Sequence, residues 1–535
     1  MSRRRAERWL PLCLSLAFTA LAATSLFQNS AVWDEYYLGA GVDLSRPEGL
    51  FHPPLSYVLH GIPFLWWDVP DEVWAEDHKL RRLSKLVELR SDDWMLNASR
   101  LALLPMGIAL GWIAFAWARQ LYGFWAGVLT MTLVCFDPNV IAHAGLITPD
   151  VTLAATALFF AWRLWRLVEE PGWRNRLLAG LGLGLMLLSK YTALLLAPLL
   201  LAGDGVFRLV RAPGAPAALC RALRDWLAVG SLGVLVLWAG YGFDAGWIVM
   251  PSGLELPMIA RRFVSGATFQ LHQSKTPHDF WLMGEHSTRG WWYFYLVVLA
   301  IKVPLATLAL LGARLAGGRR LGLRFDAREL CLWLPPALLL AYLSLFNTIH
   351  NGIRYLLPVY PLALIALGRL ALPAARSRRG RGALAAAAAW VVGASLFAWP
   401  HYLSYCNELI GGPRNGYLWL SDSNLDWGQD LKGLRRWMDE QGVDRIQLAY
   451  FGTADPAHYG IDYVYLPSPV SHLEPTPPLA PGEAPPRIVA LSAYQYQGVA
   501  RSQGDPYAVF RRYEPNARVG HSILIFDLDR LIPRD

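Results

Sequence analysis

LLAGLGLGLMLLSKYTALLLAPLLLAGDGVF, residues 177–207, is an apolar run long for one membrane helix and short for two, interrupted by the polar trio Ser189-Lys190-Tyr191. One crossing of a hydrocarbon core about 30 Å thick takes about 20 residues, so length alone does not decide how this run is read. Charge does. Basic residues cluster at Arg3/Arg4/Arg5/Arg8, Arg119, Arg163/Arg166/Arg174/Arg176, Arg208/Arg211/Arg221/Arg224, Arg314/Arg319/Arg320/Arg324/Arg328 and Arg369/Arg376/Arg378/Arg379/Arg381. Loops rich in Lys and Arg stay cytoplasmic, and all six clusters share one side only if 177–207 crosses twice. The run therefore reads as two short helices meeting at Lys190, which should occupy a thinned or water-filled spot.

The other apolar runs lie near 9–27, 100–118, 124–141, 147–167, 224–241, 292–313, 330–346, 353–371 and 383–400. With the doubled run they predict an α-helical polytopic membrane protein of about eleven spans, its N-terminus cytoplasmic. The first run follows Arg3–Arg8 and contains Ala20-Leu21-Ala22, as a cleaved signal would, but it exceeds a usual signal core and is read as a retained helix. A chain that is 54% hydrophobic and 17% charged, with 24 Trp and 22 Tyr, is too apolar for one soluble domain. The net charge of +8 resides in the short loops, which favours membrane orientation over nucleic-acid binding. Cys13, Cys135, Cys220, Cys331 and Cys406 are scattered without metal-ligand spacing or a disulfide framework.

This topology sends the chemically interesting residues outward. They lie in the first loop 28–98, the loop from Asp137 to Asp150, the Lys190 corner, the loop 242–290, the loop from Asn347 to Arg354, and everything after 401. In the first loop, Pro54–Trp67 reads as interfacial helix with Trp66 and Trp67 at headgroup level. Residues 1–401 form the expected membrane module and 402–535 a small α/β domain. That domain is predicted to hold a helix over Gly428–Gln441, strands over Ile446–Phe451, Arg487–Ser492 and Ser522–Phe526, and a flexible Pro475–Pro486 excursion.

Trp33-Asp34-Glu35-Tyr36 sets two carboxylates just beyond the first span. Ionisable groups in such apolar surroundings mark functional sites. Adjacent helical residues diverge by about 100°, so one acid can react while a neighbour holds the other; Asp34 is taken as the reacting group and Glu35 as its support. Asp150, with Thr148, stands where a helix cap is also expected, and Asp137 and His143 share its loop. Lys302, on a straight span entered at Trp291, would sit about 16 Å deep and need a carboxylate or bound phosphate as partner. Arg100 and Arg354 break the inside-positive rule at outer helix ends, and a planar guanidinium suits bidentate phosphate binding. His350 precedes Arg354 in a polar stretch. Asp422-Ser423-Asn424-Leu425-Asp426-Trp427-Gly428 is dense in turn residues; Asp426 suits a cap for the following helix, while Asp422, Asn424 and Trp427 are of types that contact sugars. Gly180 and Gly184 signal close helix packing only.

Outward acids accompanied by cations suit transfer of a group from an anionic lipid: the acid activates an acceptor and the cations stabilise a departing phosphate. The ordered set Trp33-Asp34-Glu35-Tyr36, His52-Pro53-Pro54-Leu55, Asp137-Pro138 with His143 and Thr148-Pro149-Asp150, Gly290-Trp291-Trp292-Tyr293 with Lys302-Val303-Pro304, Gly352-Ile353-Arg354-Tyr355-Leu356-Leu357-Pro358 and Asp422 to Asp430 resembles bacterial glycosyltransferases of the C superfamily, family 39. That group contains the protein O-mannosyltransferases and the aminoarabinose transferase of lipid A. The resemblance implies a multi-span glycosyltransferase of the bacterial inner membrane with an outward-facing site, a polyprenyl-phosphate-linked sugar donor and inversion at the anomeric carbon. It implies Asp34 as the catalytic acid, Asp150 as a second site acid, and Lys190, Lys302 and Arg354 as phosphate partners. The acceptor, whether lipid, glycan or protein, stays open. No cofactor is demanded, although Asp34 and Glu35 could hold a divalent cation with the donor phosphate. A flippase for lipid-linked sugars is the competing reading, motivated by Lys302, but no duplicated half is evident.

Overall fold

The computed structural model describes residues 3–37, 52–67, 69–70, 73, 93–212, 216–249, 255–273, 278–316, 326–468, 479, 483–499 and 504–534. The middle of the first loop, the basic residues Arg319, Arg320 and Arg324, and most of the Pro475–Pro486 excursion lie outside them.

Among the described residues seven helices are long and apolar enough to cross a membrane, or nine if each of two bent pairs is one span. The remaining two of the eleven expected runs correspond to shorter helical segments, Trp173–Leu187 and Tyr360–Ala374. The doubled run resolves into helices Trp173–Leu187 and Ala193–Arg211, with Lys190 in the break. The first helix, Arg3–Leu26, buries Phe18, Ala22 and Leu26 in the membrane core.

Both bent pairs depart from the straight spans expected. Phe124–Cys135 is followed at 62° by Pro138–Ala144, because Pro138 lacks a donor and Asp137 starts a new helix by accepting from the Asn139 and Val140 amides. Phe294–Lys302 is followed at 114° by Leu305–Ala316. Pro304 forbids continuation there and holds Val303 extended, with ψ 134°. Lys302 therefore ends a helix instead of lying midway along one.

The break is stitched to the chain beyond the last span. Asn407 Nδ2 donates to Ala300 O (2.6 Å) and Val303 O (2.7 Å), and Asn139 Nδ2 donates to Lys302 O (2.8 Å). Tyr402, Tyr405, Cys406, Ile410 and Leu420 pack in the same hydrophobic cluster as the apolar helices, and a sheet-bearing unit follows them. Its five-stranded mixed sheet has the order Asp462–Tyr465, Arg445–Ala449, Ile488–Ser492, Ile523–Asp527, Ala517–Val519, the first three strands parallel. Two of these strands, Asp462–Tyr465 and Ala517–Val519, are short and went unpredicted. Helix Leu431–Gln441 turns Leu431, Leu434 and Met438 toward Ile446, Leu448 and Ile525, and the same core takes in Ala31, Met95, Leu96 and Ile147 from the membrane module.

Helix Trp173–Leu187 packs closely on Pro216–Gly240: a Cβ on Gly184 would lie 2.4 Å from Val236 Cβ and 2.9 Å from Gly233 O. Gly184→Leu should therefore lower the apparent Tm in detergent by several degrees, overpacking costing about 1–3 kcal/mol. Gly230→Ala, on the facing helix with nothing within 4 Å, should leave it unchanged or raised; equal losses would contradict this packing.

Candidate active site

Beyond the first helix, residues 30–33 run beside 427–429. Ser30 N donates to Gln429 O (2.9 Å), Trp33 N to Trp427 O (2.8 Å), and Ser30 Oγ to Gly428 O (2.8 Å). The short 3-10 turn Trp33–Tyr37 follows and parts the two acids. Glu35 is fully buried, accepting from Arg100 Nε (2.8 Å) and Nη2 (2.6 Å), Val32 N (2.8 Å) and Ile147 N (3.1 Å). Arg100, equally buried, spends its remaining donors on Leu26 O, Asn29 O and Ser30 O. Neither faces the site, which corrects Glu35 as a catalytic candidate and Arg100 as a phosphate ligand. The two acids also do not converge into a joint cation site.

Asp34 points the other way. Arg354 Nη1 donates to its Oδ2 at 2.7 Å and lies 4.0 Å from Asp150 Oδ2; Lys190 Nζ donates to Asp150 Oδ1 at 2.7 Å. Acids and cations thus alternate: Asp34, Arg354, Asp150, Lys190. Asp150 is the first residue of helix Asp150–Glu169 and makes no side-chain cap, so its carboxylate serves the cations. Lys190 and Arg354 share the Tyr355 ring, at 5.2 and 5.9 Å. Among the described residues, Asp150 Oδ2, Arg354 Nε, His143 Nδ1 and Thr148 Oγ1 are buried without hydrogen-bond partners. Such atoms are costly to leave unmet, and a bound polar ligand would satisfy them.

The Arg354 turn is clasped by the 422–424 turn. Ser423 Oγ donates to Asn351 O (2.8 Å) and Ile353 N to Asn424 Oδ1 (3.2 Å). Gly352 has φ 81°, and a Cβ there would meet Asn424 Oδ1 at 2.2 Å, so only glycine permits the contact. Asp422 sits at φ 53°, its own carboxylate accepting from the Ser423 amide. Burial pushes the Asp422 carboxyl up, with the Arg354 charge opposing. Trp427 lies against the Arg354 guanidinium at 4.5 Å and edge-on to His143 at 6.2 Å. His52, quoted in a motif but not singled out, also joins the site: burial and the Lys190 charge push its imidazole down to about 3. Tyr355 and the stack Trp33–Phe451–Tyr494, with ring centroids 5.1 and 4.0 Å apart, were also missed. Aromatic residues are too common in this chain to stand out.

Four further candidates are structural. Lys302 Nζ donates to Leu403 O (2.8 Å) and Asn424 O (2.7 Å), so backbone carbonyls take the place of the expected phosphate. Asp137 caps its helix and accepts from Tyr360 (2.8 Å). His350 bonds the Trp291 main chain and packs among Phe280, Phe294 and Tyr295. Asp426 accepts from Tyr494 N (2.9 Å) and Gly428 N (3.3 Å); the following helix starts at Leu431, beyond its capping reach.

Burial raises Asp426 to about 7 against those hydrogen bonds. A carboxyl raised on folding stabilises fully below its unfolded pKa, near 4, and loses that contribution as pH climbs to 7. The wild-type apparent Tm should therefore fall between pH 4.5 and 7, by up to about 1.4 kcal/mol of stability per pH unit from this group. Asp426→Asn should flatten that slope, and an unchanged slope in the variant would contradict the assignment.

Residues 92–238, less than half the chain, match a family model described as dolichyl-phosphate-mannose-protein mannosyltransferase. No curated protein sequence matches. Among solved structures, ArnT from Cupriavidus metallidurans in the apo state aligns over 96% of this chain and 97% of its own, with TM-score 0.51 and 13% identity. The same protein bound to undecaprenyl phosphate aligns with TM-score 0.50 over the same shares, again at 13% identity. At that identity the likeness speaks for the fold. The family match over part of the chain and the ArnT-like fold are what the reading of a membrane glycosyltransferase rests on.

Proposed function

We propose that this protein transfers a sugar from a polyprenyl-phosphate-linked donor to an acceptor at the exoplasmic face of a bacterial inner membrane, with inversion. The carrying observation is the alternating row Asp34, Arg354, Asp150, Lys190. Of the four candidate phosphate cations, Lys302 and Arg100 are consumed by carbonyls and Glu35, which leaves Lys190 and Arg354. A glycosyl phosphate arriving between them competes with the carboxylates for both. Arg354, exchanging its bond to Asp34 for one to a phosphate oxygen, releases Asp34.

Transfer then needs little more. The acceptor oxygen attacks the anomeric carbon while the bond from that carbon to the phosphate oxygen breaks, its electron pair leaving with the phosphate. Lys190 and Arg354 stabilise the charge gathering there. When the acceptor is a hydroxyl, its proton passes to Asp34; an ionised phosphate acceptor needs only positioning. Phosphate is a weak base and leaves unprotonated, so the paired-carboxylate machinery of glycoside hydrolysis is unnecessary. The flippase reading loses the support of Lys302, whose ammonium donates to backbone oxygens.

Asp34→Asn should lower transfer at least about 100-fold, the usual weight of a general base, while the protein still inserts and accumulates. Mass spectrometry of glycolipids, surface polymers and exported proteins from cells carrying each form checks this. Normal product levels in the variant would remove Asp34 from the chemistry, and lipid moved without any new glycosidic product would favour flipping.

A further inference from the structure

Trp427 takes no part in the bond changes above, yet it touches Arg354 and the residue that precedes Asp34. Its side chain is 1% exposed, and the Arg354 guanidinium carbon lies 4.5 Å from its ring centroid. Its carbonyl accepts from Trp33 N at 2.8 Å, one residue before Asp34. Its amide donates to Gln429 Oε1 (2.8 Å), and Gln429 Nε2 in turn donates to Leu425 O (2.8 Å) and Ser404 Oγ (3.1 Å). The indole is therefore fixed from its own backbone outward.

Arginine has many rotamers and loses entropy whenever one is selected. Among the described residues, Arg354 makes one hydrogen bond through Nη1, to Asp34, while its Nε has no partner. One such bond leaves the guanidinium plane free to swing about it. The Trp427 face removes that freedom through a cation–π contact, and Tyr355, at 5.9 Å, lines a further side.

We propose that Trp427 is a positioning residue for phosphate recognition: it holds the Arg354 fork in one plane, so that the donor phosphate meets a preset ligand. The proposal rests on the reading of Arg354 as a phosphate ligand. It also makes the segment after the last span an obligatory part of the catalytic centre.

The test uses the full chain in detergent micelles with four variants: Trp427→Leu, Trp427→Phe, Arg354→Gln, and Trp427→Leu combined with Arg354→Gln. Undecaprenyl phosphate binding and sugar transfer are both measured per folded molecule. Trp427→Leu should weaken binding about tenfold, the size of a desolvated cation–π contact. Trp427→Phe should recover most of it, and Trp427→Leu should add little once Arg354 is Gln, because coupled residues are non-additive. An equal loss in both backgrounds, or a Phe variant as weak as Leu, overturns the proposal; so does a wild type that binds no undecaprenyl phosphate. Should Trp427→Leu fail to fold, Trp427→Met, which fills the apolar space without offering a ring face, takes its place in the same cycle. A wild type that binds the lipid but transfers no sugar refutes the transferase reading alone, and the binding cycle still decides the role of Trp427.

Discussion

Glu35 and Arg100, neither with any exposed surface, hold the site together. A buried ion pair is tolerable only when its remaining donors and acceptors are met, and here the main chain of two segments meets them. Leu26, Asn29 and Ser30 bind Arg100 at the exit of the first helix; Val32 and Ile147 donate to Glu35. Ile147 stands three residues before Asp150. One carboxylate thus fixes the direction in which its neighbour Asp34 points and the place where the Asp150 helix begins. Adjacent acids part company, Glu35 spent on structure and Asp34 turned to Arg354, as the proposed chemistry requires.

The same logic governs the far end of the chain. Lys302, Asn407 and Asn424 knit a broken helix, the segment past the last span and the Arg354 turn into one unit. Each contact joins residues more than seventy positions apart. The sheet-bearing unit beyond them shares a core with the membrane module, so its packing bears directly on how Asp34 and Arg354 meet.

Much of this was legible in the residues, for identifiable reasons. The break at Lys190 followed from charge bookkeeping, because arginine-rich loops must share a side. Asp34, Asp150, Lys190 and Arg354 stood out because charge near an apolar boundary is expensive. The same rule misled at Lys302 and Arg100: burial reveals that a cation needs partners but not whether carbonyls, a carboxylate or a ligand supply them. Pro304 was visible, yet the span was drawn straight through it, which placed Lys302 at a depth it does not have. The clasp between 351–354 and 422–424 depends on long-range folding and leaves no local pattern; the short strands Asp462–Tyr465 and Ala517–Val519 carry too few residues for alternation to register.

The most direct measurement is a cryo-electron microscopy structure of the full chain with undecaprenyl phosphate bound. The phosphate should lie within hydrogen-bond distance of both Lys190 Nζ and the Arg354 guanidinium, with the 2.7 Å contact between Arg354 and Asp34 opened and the pair of Glu35 and Arg100 unchanged. A phosphate held by Lys302 or Arg100, or one that leaves Asp34 still bonded to Arg354, would contradict the division of roles between the two acids.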